Sequence, residues 1–284
     1  MNESEIHVPD VWQRLPLQEM GGTIMVLGET DTGKSVFCHW LVERLAGSSP
    51  TAWLDCDMGQ STLGMPSTMN LGSAAPGGCV HQAASFFVGK TSPVGHMLPT
   101  VVGARLLHDE AHRLGAHNVI VDTSGLVSRR AGGGALKEWK MELLRPEWVV
   151  ALCRKNELEH VVAPLRKAAL PRLVALPPSS EVKARSSMER AGRRREKFRS
   201  FFQQARTWTI SKKRVPVFGL DKAKRFRVAG LLGDNGLLIS LCLVLGEQGS
   251  WMEVSAPEHD PGRIRGIRIG DMGVDPETGV EMKD

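Results

Sequence analysis

Residues 23–45 read TIMVLGETDTGKSVFCHWLVERL. An apolar run, Ile24, Met25, Val26 and Leu27, leads into Gly28-Glu29-Thr30-Asp31-Thr32-Gly33-Lys34-Ser35, which satisfies the phosphate-loop pattern G-x-x-x-x-G-K-[ST] at every fixed position. Beyond the loop, Val36, Phe37, Trp40, Leu41 and Leu45 carry the spacing of an amphipathic helix. Strand, glycine loop and helix thus come in the order a phosphate-binding turn requires. Gly28 and Gly33 let the backbone curl so that successive N–H groups and the helix N-terminus face an anion. In that geometry Lys34 reaches the outer phosphates of a nucleoside triphosphate such as ATP, and Ser35 holds Mg²⁺.

Downstream, the break Gly47-Ser48-Ser49-Pro50 precedes a short strand that ends at Asp55-Cys56-Asp57-Met58-Gly59-Gln60. In a doubly wound sheet the ligand crevice lies at the carboxyl ends of the strands, which puts these carboxylates beside the phosphates. If strand geometry persists, Asp55 and Asp57 share a face. One can then position Mg²⁺ through water while the other accepts a proton from an attacking hydroxyl, with Gln60 orienting the nucleophile or a phosphate oxygen. A second strand, residues 118–121, ends at Asp122-Thr123-Ser124-Gly125. By position Asp122 rivals Asp55 as the carboxylate that supports Mg²⁺, and Thr123 and Gly125 stand at the mouth of the same crevice. An Asp-x-Asp at a strand end is, by itself, as readily a turn or a helix cap.

The remaining elements follow from periodicity. Residues 61–78 hold glycines and prolines and read as loop; residues 85–88 read as a strand ending in Gly89-Lys90-Thr91, a strand-end loop without the spacing of a second phosphate loop. Residues 101–114 read as a helix, so the Asp-Glu-Ala-His at 109–112 lies inside a helix and not at a strand end. His108 and His112 share its face, but a metal needs further ligands, so they read as surface histidines. Glycines 132–134 read as loop, residues 139–144 as helix, 148–152 as strand, 158–168 as helix and 172–176 as strand. Alternating strands and helices from residue 23 to about 176 predict an α/β fold with a mainly parallel sheet.

Residues 181–204 change character, being rich in arginine, with Arg190, Arg194, Phe198 and Phe202 at four-residue intervals on one helix face. Phosphoryl transfer spreads negative charge over equatorial oxygens, which suits a mobile cationic lid anchored by phenylalanines; a solvated basic helix is the plainer reading. Beyond it, residues 228–232, 237–244 and 264–269 read as strands of a small C-terminal β-rich module. The chain therefore divides into a lead-in at 1–20, an α/β domain at 21–205 and the β-rich module at 206–284.

Composition sets outer bounds. The 284 residues carry a formal charge of +5, compatible with an anionic partner but too modest to imply nucleic acid by itself. Five scattered cysteines, Cys38, Cys56, Cys79, Cys153 and Cys242, include no C-x-x-C pair, which argues for a reducing compartment and against a zinc site. No run approaches the roughly 18 apolar residues of a membrane span, and the N-terminus MNESEIHVPD is polar and acidic, so the expectation is a soluble cytoplasmic protein. No Asn-Lys-x-Asp signal for guanine occurs.

These motifs resemble those of the Clp1/Grc3 polynucleotide 5′-hydroxyl kinase family. GETDTGKS followed by WLDCDMGQSTLGMP is similar to the family's phosphate loop and D-x-x-Q segment, with Asp57 and Gln60 on the two motif positions. FFVGKTSPVGH resembles a further family segment, and DTSGLV resembles the T-x-G-W clasp, with Thr123 and Gly125 matched and Leu126 where tryptophan is common. RAGRRREKFRSFF resembles the family lid, its R-x-x-x-R matched best by Arg190 and Arg194. The resemblance implies a P-loop kinase fold and ATP-dependent transfer to the 5′-hydroxyl of RNA or DNA, with Asp57 as general base. It also implies Lys34 and Mg²⁺ at the phosphates, and Arg190 and Arg194 closing the lid. An ATP-bound scaffold or switch in RNA processing, without catalysis, is the alternative. The large N-terminal domain of eukaryotic members has no counterpart in residues 1–20, and no protein partner is implied.

Overall fold

The computed structural model describes residues 7–74 and 79–282. The start of the polar N-terminus, and residues 75–78 of the stretch read as loop, lie outside the described residues. The chain forms two compact units, the first made of Met1–Asp57, Asn70–Ala83 and Pro93–Arg185, the second of Met58–Met69, Ala84–Ser92 and Ser186–Asp284.

Chain order in the α/β part is α1 (Asp10–Gln13), β1 (Thr23–Gly28), α2 (Lys34–Ala46), β2 (Thr51–Asp55), β3 (Thr68–Ala74), β4 (His81–Phe87), α3 (Met97–Arg113), β5 (Asn118–Asp122), α4 (Gly133–Leu144), β6 (Trp148–Leu152), α5 (Glu159–Val162) and β7 (Arg172–Leu176). The sheet runs β4-β3-β2-β5-β1-β6-β7. β5 lies parallel between β2 and β1, and β6 lies parallel between β1 and β7. Along β1, β2, β5 and β6 every residue is buried, the pattern of parallel strands covered on both faces. The lead-in is tied down by Trp12, fully buried, whose ring meets Phe37 edge-on at 5.0 Å and Trp40 at 5.5 Å. Thus the helix that follows the phosphate loop has one face in the sheet core and another under the lead-in.

Three expectations need correction here. β3, antiparallel to β2, lies in the stretch read as loop; nearly all of it is buried, so it shows no period-two alternation, and Gly72, Ser73 and Ala74 lack bulk. Gly133 and Gly134 open α4 instead of forming a loop, with Gly132 as its N-cap at φ 75°. Residues 158–168 are two elements, because Pro164 has no N–H to continue α5 and starts a separate 3₁₀ turn, Pro164–Lys167.

The second unit holds α6 (Ser187–Phe202), β8 (Arg206–Ser211), β9 (Val217–Phe218), β10 (Arg227–Leu232), β11 (Leu238–Gln248), β12 (Trp251–Ala256), β13 (Gly266–Val274) and β14 (Glu281–Met282). Its sheet runs β14-β13-β10-β11-β12-β8, antiparallel throughout, with β9 added parallel to β13. Composition divides the chain near residue 205, whereas the fold groups α6 with this sheet. The reason is apolar: Phe198 and Phe202 pack into one core with Phe87, Val228, Leu241, Leu243 and Val274.

Candidate nucleotide site

In the first unit β1 ends at Gly28 and α2 begins at Lys34, so residues 29–33 form the turn between them. Gly33 takes the left-handed conformation, φ 82°, that L side chains rarely adopt, and no side chain caps α2. The first-turn N–H groups of this 13-residue helix are thereby left to an anion. Lys34 is buried and its Nζ donates to Glu29 O at 2.7 Å, while Thr32 Oγ1 donates to the same carbonyl at 2.9 Å. Glu29 and Thr30 are exposed at the tip of the turn. Asp31, at φ 56°, accepts at its carbonyl from the Arg154 guanidinium and at Oδ2 from Arg185 N, 3.1 Å away. Neither arginine stands out in the sequence, since each falls in a charged loop with no motif around it.

Two carboxylates close the site from the neighbouring strands. β2 and β5 are in parallel register with Asp55 beside Asp122, and Val26 lies opposite Asp122 on the other side. Asp55 and Asp122 are buried, and among the described residues no donor makes a well-formed hydrogen bond to either Asp122 oxygen. Burial first, then the Asp55 charge, pushes the Asp122 carboxyl up to about 7, with Lys34 and the Ser35 hydroxyl partly offsetting them. Two fully buried oxygens on a hard carboxylate, next to the Ser35 hydroxyl and a phosphate-loop lysine, form the donor set that suits Mg²⁺. Asp57 does not continue the strand, because β2 stops at Asp55 and Asp57 N donates to Asp55 Oδ1 at 3.0 Å. The turn leaves Asp57 less buried than Asp55.

The residues after β5 brace the loop. Thr123 Oγ1 donates to Val26 O at 2.7 Å, which turns its hydroxyl into the sheet. At Gly125 an added Cβ would stand 2.4 Å from Thr30 Oγ1 and 2.7 Å from Thr30 N, so only glycine lets this segment abut the phosphate loop. Lys137 of α4 reaches back to the same segment, donating from Nζ to Ser124 O at 2.5 Å.

Gln60, Arg190 and Arg194 belong to the second unit. Gln60 Nε2 donates to Arg190 O at 3.2 Å, and Lys197 Nζ donates to Ser61 O and Gly64 O at 2.7 and 2.8 Å. The loop after the carboxylates is in this way fastened to α6. Arg194 pairs with Glu281. Two other sequence features have structural roles. Lys90 donates to Asp271 O at 2.8 Å, beside a close approach of Gly89 to Gly270, so this Gly-Lys-Thr is a strand-end brace. His108 is buried, not on the surface, with its Nε2 and Thr23 Oγ1 2.8 Å apart.

A family model described as the mRNA cleavage and polyadenylation factor CLP1 P-loop matches residues 28–204. Among curated proteins, the chain is 29% identical over 221 residues to a polyribonucleotide 5′-hydroxyl-kinase of Methanocaldococcus jannaschii, covering 76% of this chain and 59% of the relative. It is 30% identical over 188 residues to a polyribonucleotide 5′-hydroxyl-kinase of Pyrococcus abyssi, covering 64% and 51%. The chain thus spans less than two thirds of the length of these relatives. Among solved structures, Clp1p in a wild-type Clp1p–Pcf11p complex superposes with TM-score 0.67 at 10% identity, covering 93% of this chain and 77% of that one.

Proposed function

The chain belongs to the CLP1 P-loop family, and on that premise we propose that it is an ATP-dependent polynucleotide 5′-hydroxyl kinase, transferring the γ-phosphate to the 5′-hydroxyl of an RNA or DNA end. The observation that carries the reading is the conjunction of a complete phosphate loop with the buried carboxyls of Asp55 and Asp122 at adjoining strand ends. Its relatives are named for the same reaction on polyribonucleotides. We read it as a cytoplasmic enzyme whose five cysteines are all free thiols.

On this reading residues 28–33 cradle the phosphates with backbone N–H groups, and Lys34 exchanges the Glu29 carbonyl for phosphate oxygens. Ser35, Asp55 and Asp122 would hold Mg²⁺, which would supply charge neutralisation at the phosphates. Asp57, less enclosed than Asp55, accepts the proton of the attacking 5′-hydroxyl, and Gln60 orients that end. Arg190 and Arg194 act as the lid cations, Arg194 leaving Glu281 to do so.

Asp57→Asn separates this enzyme from a catalytically silent ATP-binding scaffold. The expected result is MgATP affinity within about twofold of wild type and phosphoryl transfer reduced by ~100-fold or more, the usual scale for loss of a general base. Transfer unaffected by the substitution would remove Asp57 from the chemistry. MgATP bound with no transfer by the wild type would favour the scaffold.

A further inference from the structure

Two lysines of the first unit are buried where lysine is rarely found. Lys137 and Lys140 stand three apart on α4, on one helix face, and each is 0% exposed. Lys137 Nζ donates to Ser124 O, and among the described residues Lys140 Nζ reaches no oxygen or nitrogen acceptor, its neighbour being the Cys56 thiol. Burying an amine this way is destabilising, and an apolar residue of the same length would serve a purely structural helix better. The cost falls at one place in the fold. Lys137 lies within the electrostatic reach of Lys34, Cys56 and Asp57, and Lys140 lies beside the Cys56 thiol.

We propose that Lys137 and Lys140 form a buried cationic floor to the nucleotide site. Lys137 is a positioning residue that holds residues 123–125 against the phosphate loop, and both amines supply positive charge to the triphosphate. The inference rests on the kinase reading for its ligand and on the geometry of α4 for everything else. Two features support it. The contact from Lys137 to Ser124 O lies next to Gly125, whose close approach to Thr30 leaves no slack between segment and loop. Without a ligand, burial and then the neighbouring Lys140 and Lys34 push the Lys137 ammonium well below its ordinary range. A bound triphosphate is the counter-charge that reverses this.

The test uses the full chain with Lys137→Met and Lys140→Met, reading thermal unfolding without nucleotide and MgATP affinity by titration calorimetry. Lys140→Met is expected to melt at or above the wild-type temperature, because an unfavourable buried amine is replaced by a chain of similar length, and Lys137→Met close to it, since the gain is offset by the Ser124 carbonyl losing its donor. Both are nevertheless expected to bind MgATP more weakly, by about tenfold for Lys137→Met and about fivefold for Lys140→Met, since charge in a dry site acts strongly. A purely structural role predicts the opposite pairing, a lower melting temperature with unchanged affinity. Gly125→Ala, which drives a Cβ into Thr30, is expected to weaken MgATP binding as well, and to do so less than additively with Lys137→Met because both act through one segment. Affinity within about twofold of wild type in either lysine variant overturns the proposal, as does loss of the folded state in either. A wild type that binds MgATP but phosphorylates no 5′-hydroxyl defeats the kinase reading and leaves this test intact; a wild type that binds no MgATP defeats both.

Discussion

His108 and Asp122 are both buried titratable residues, and the chain treats them in opposite ways. Asp122 ends a strand at the candidate nucleotide site with, among the described residues, no well-formed hydrogen bond to its oxygens, whereas His108 lies on α3 with its ring against Thr23. Burial first, then His112 and Arg105, lowers the His108 pKa to about 4. The folded protein therefore keeps the ring neutral where the unfolded chain, titrating near 6.5, would protonate it. Stability from this residue is full above about pH 6.5 and is lost as pH falls toward 4, at no more than ~1.4 kcal/mol per pH unit. His108→Gln is expected to narrow the difference in urea midpoint between pH 7.5 and pH 4.5; an unchanged difference would mean that the ring does not drive the acid sensitivity. Residue types also decided what the sequence could say. Lys34, Ser35 and Gly33 were legible because a phosphate loop fixes their spacing. Lys137 and Lys140 were not, because periodicity places lysine on the outer face of a helix.

α6 is where sequence periodicity and packing agree most closely. The four-residue interval of Arg190, Arg194, Phe198 and Phe202 survives as one helix face, with both phenylalanines buried and stacked at 6.4 Å. A capping box starts the helix: Ser186 Oγ accepts from Glu189 N at 3.1 Å, and the Glu189 carboxylate accepts from Ser186 N at 2.7 Å. Phe198→Ala removes a fully buried ring from the core of the second unit. It is expected to cost about 3–5 kcal/mol of stability in a denaturant titration. A loss under ~1 kcal/mol would show that α6 is not seated by its phenylalanines. Other elements were opaque for stated reasons. β3 is almost wholly buried, so it shows no alternation, and β8 presents mostly exposed or partly exposed residues to no clear period. Asp57 illustrates a subtler limit, since it shares the face of Asp55 only while strand geometry persists, and β2 ends at Asp55.

At the scale of the whole molecule, the order strand, glycine loop, helix, strand and carboxylate in residues 23–57 was enough to anticipate the α/β sheet. The parallel pairing of β2, β5, β1 and β6 then brings Asp55 and Asp122 together at one end of it. What sequence could not supply was the grouping of distant segments, because residues 58–69 and 84–92 group with the second compact unit through long-range packing that no local pattern encodes. The net charge of +5 bears on this scale too, being compatible with an anionic partner without selecting one. Whether the two carboxyls and the phosphate loop act together in phosphoryl transfer is read from the fate of the γ-phosphate. Purified protein is incubated with Mg²⁺, γ-labelled ATP and matched oligonucleotides ending in a 5′-hydroxyl or a 5′-phosphate. Label is expected on the 5′-hydroxyl oligonucleotide alone; ATP binding without label on either would contradict the proposed transfer.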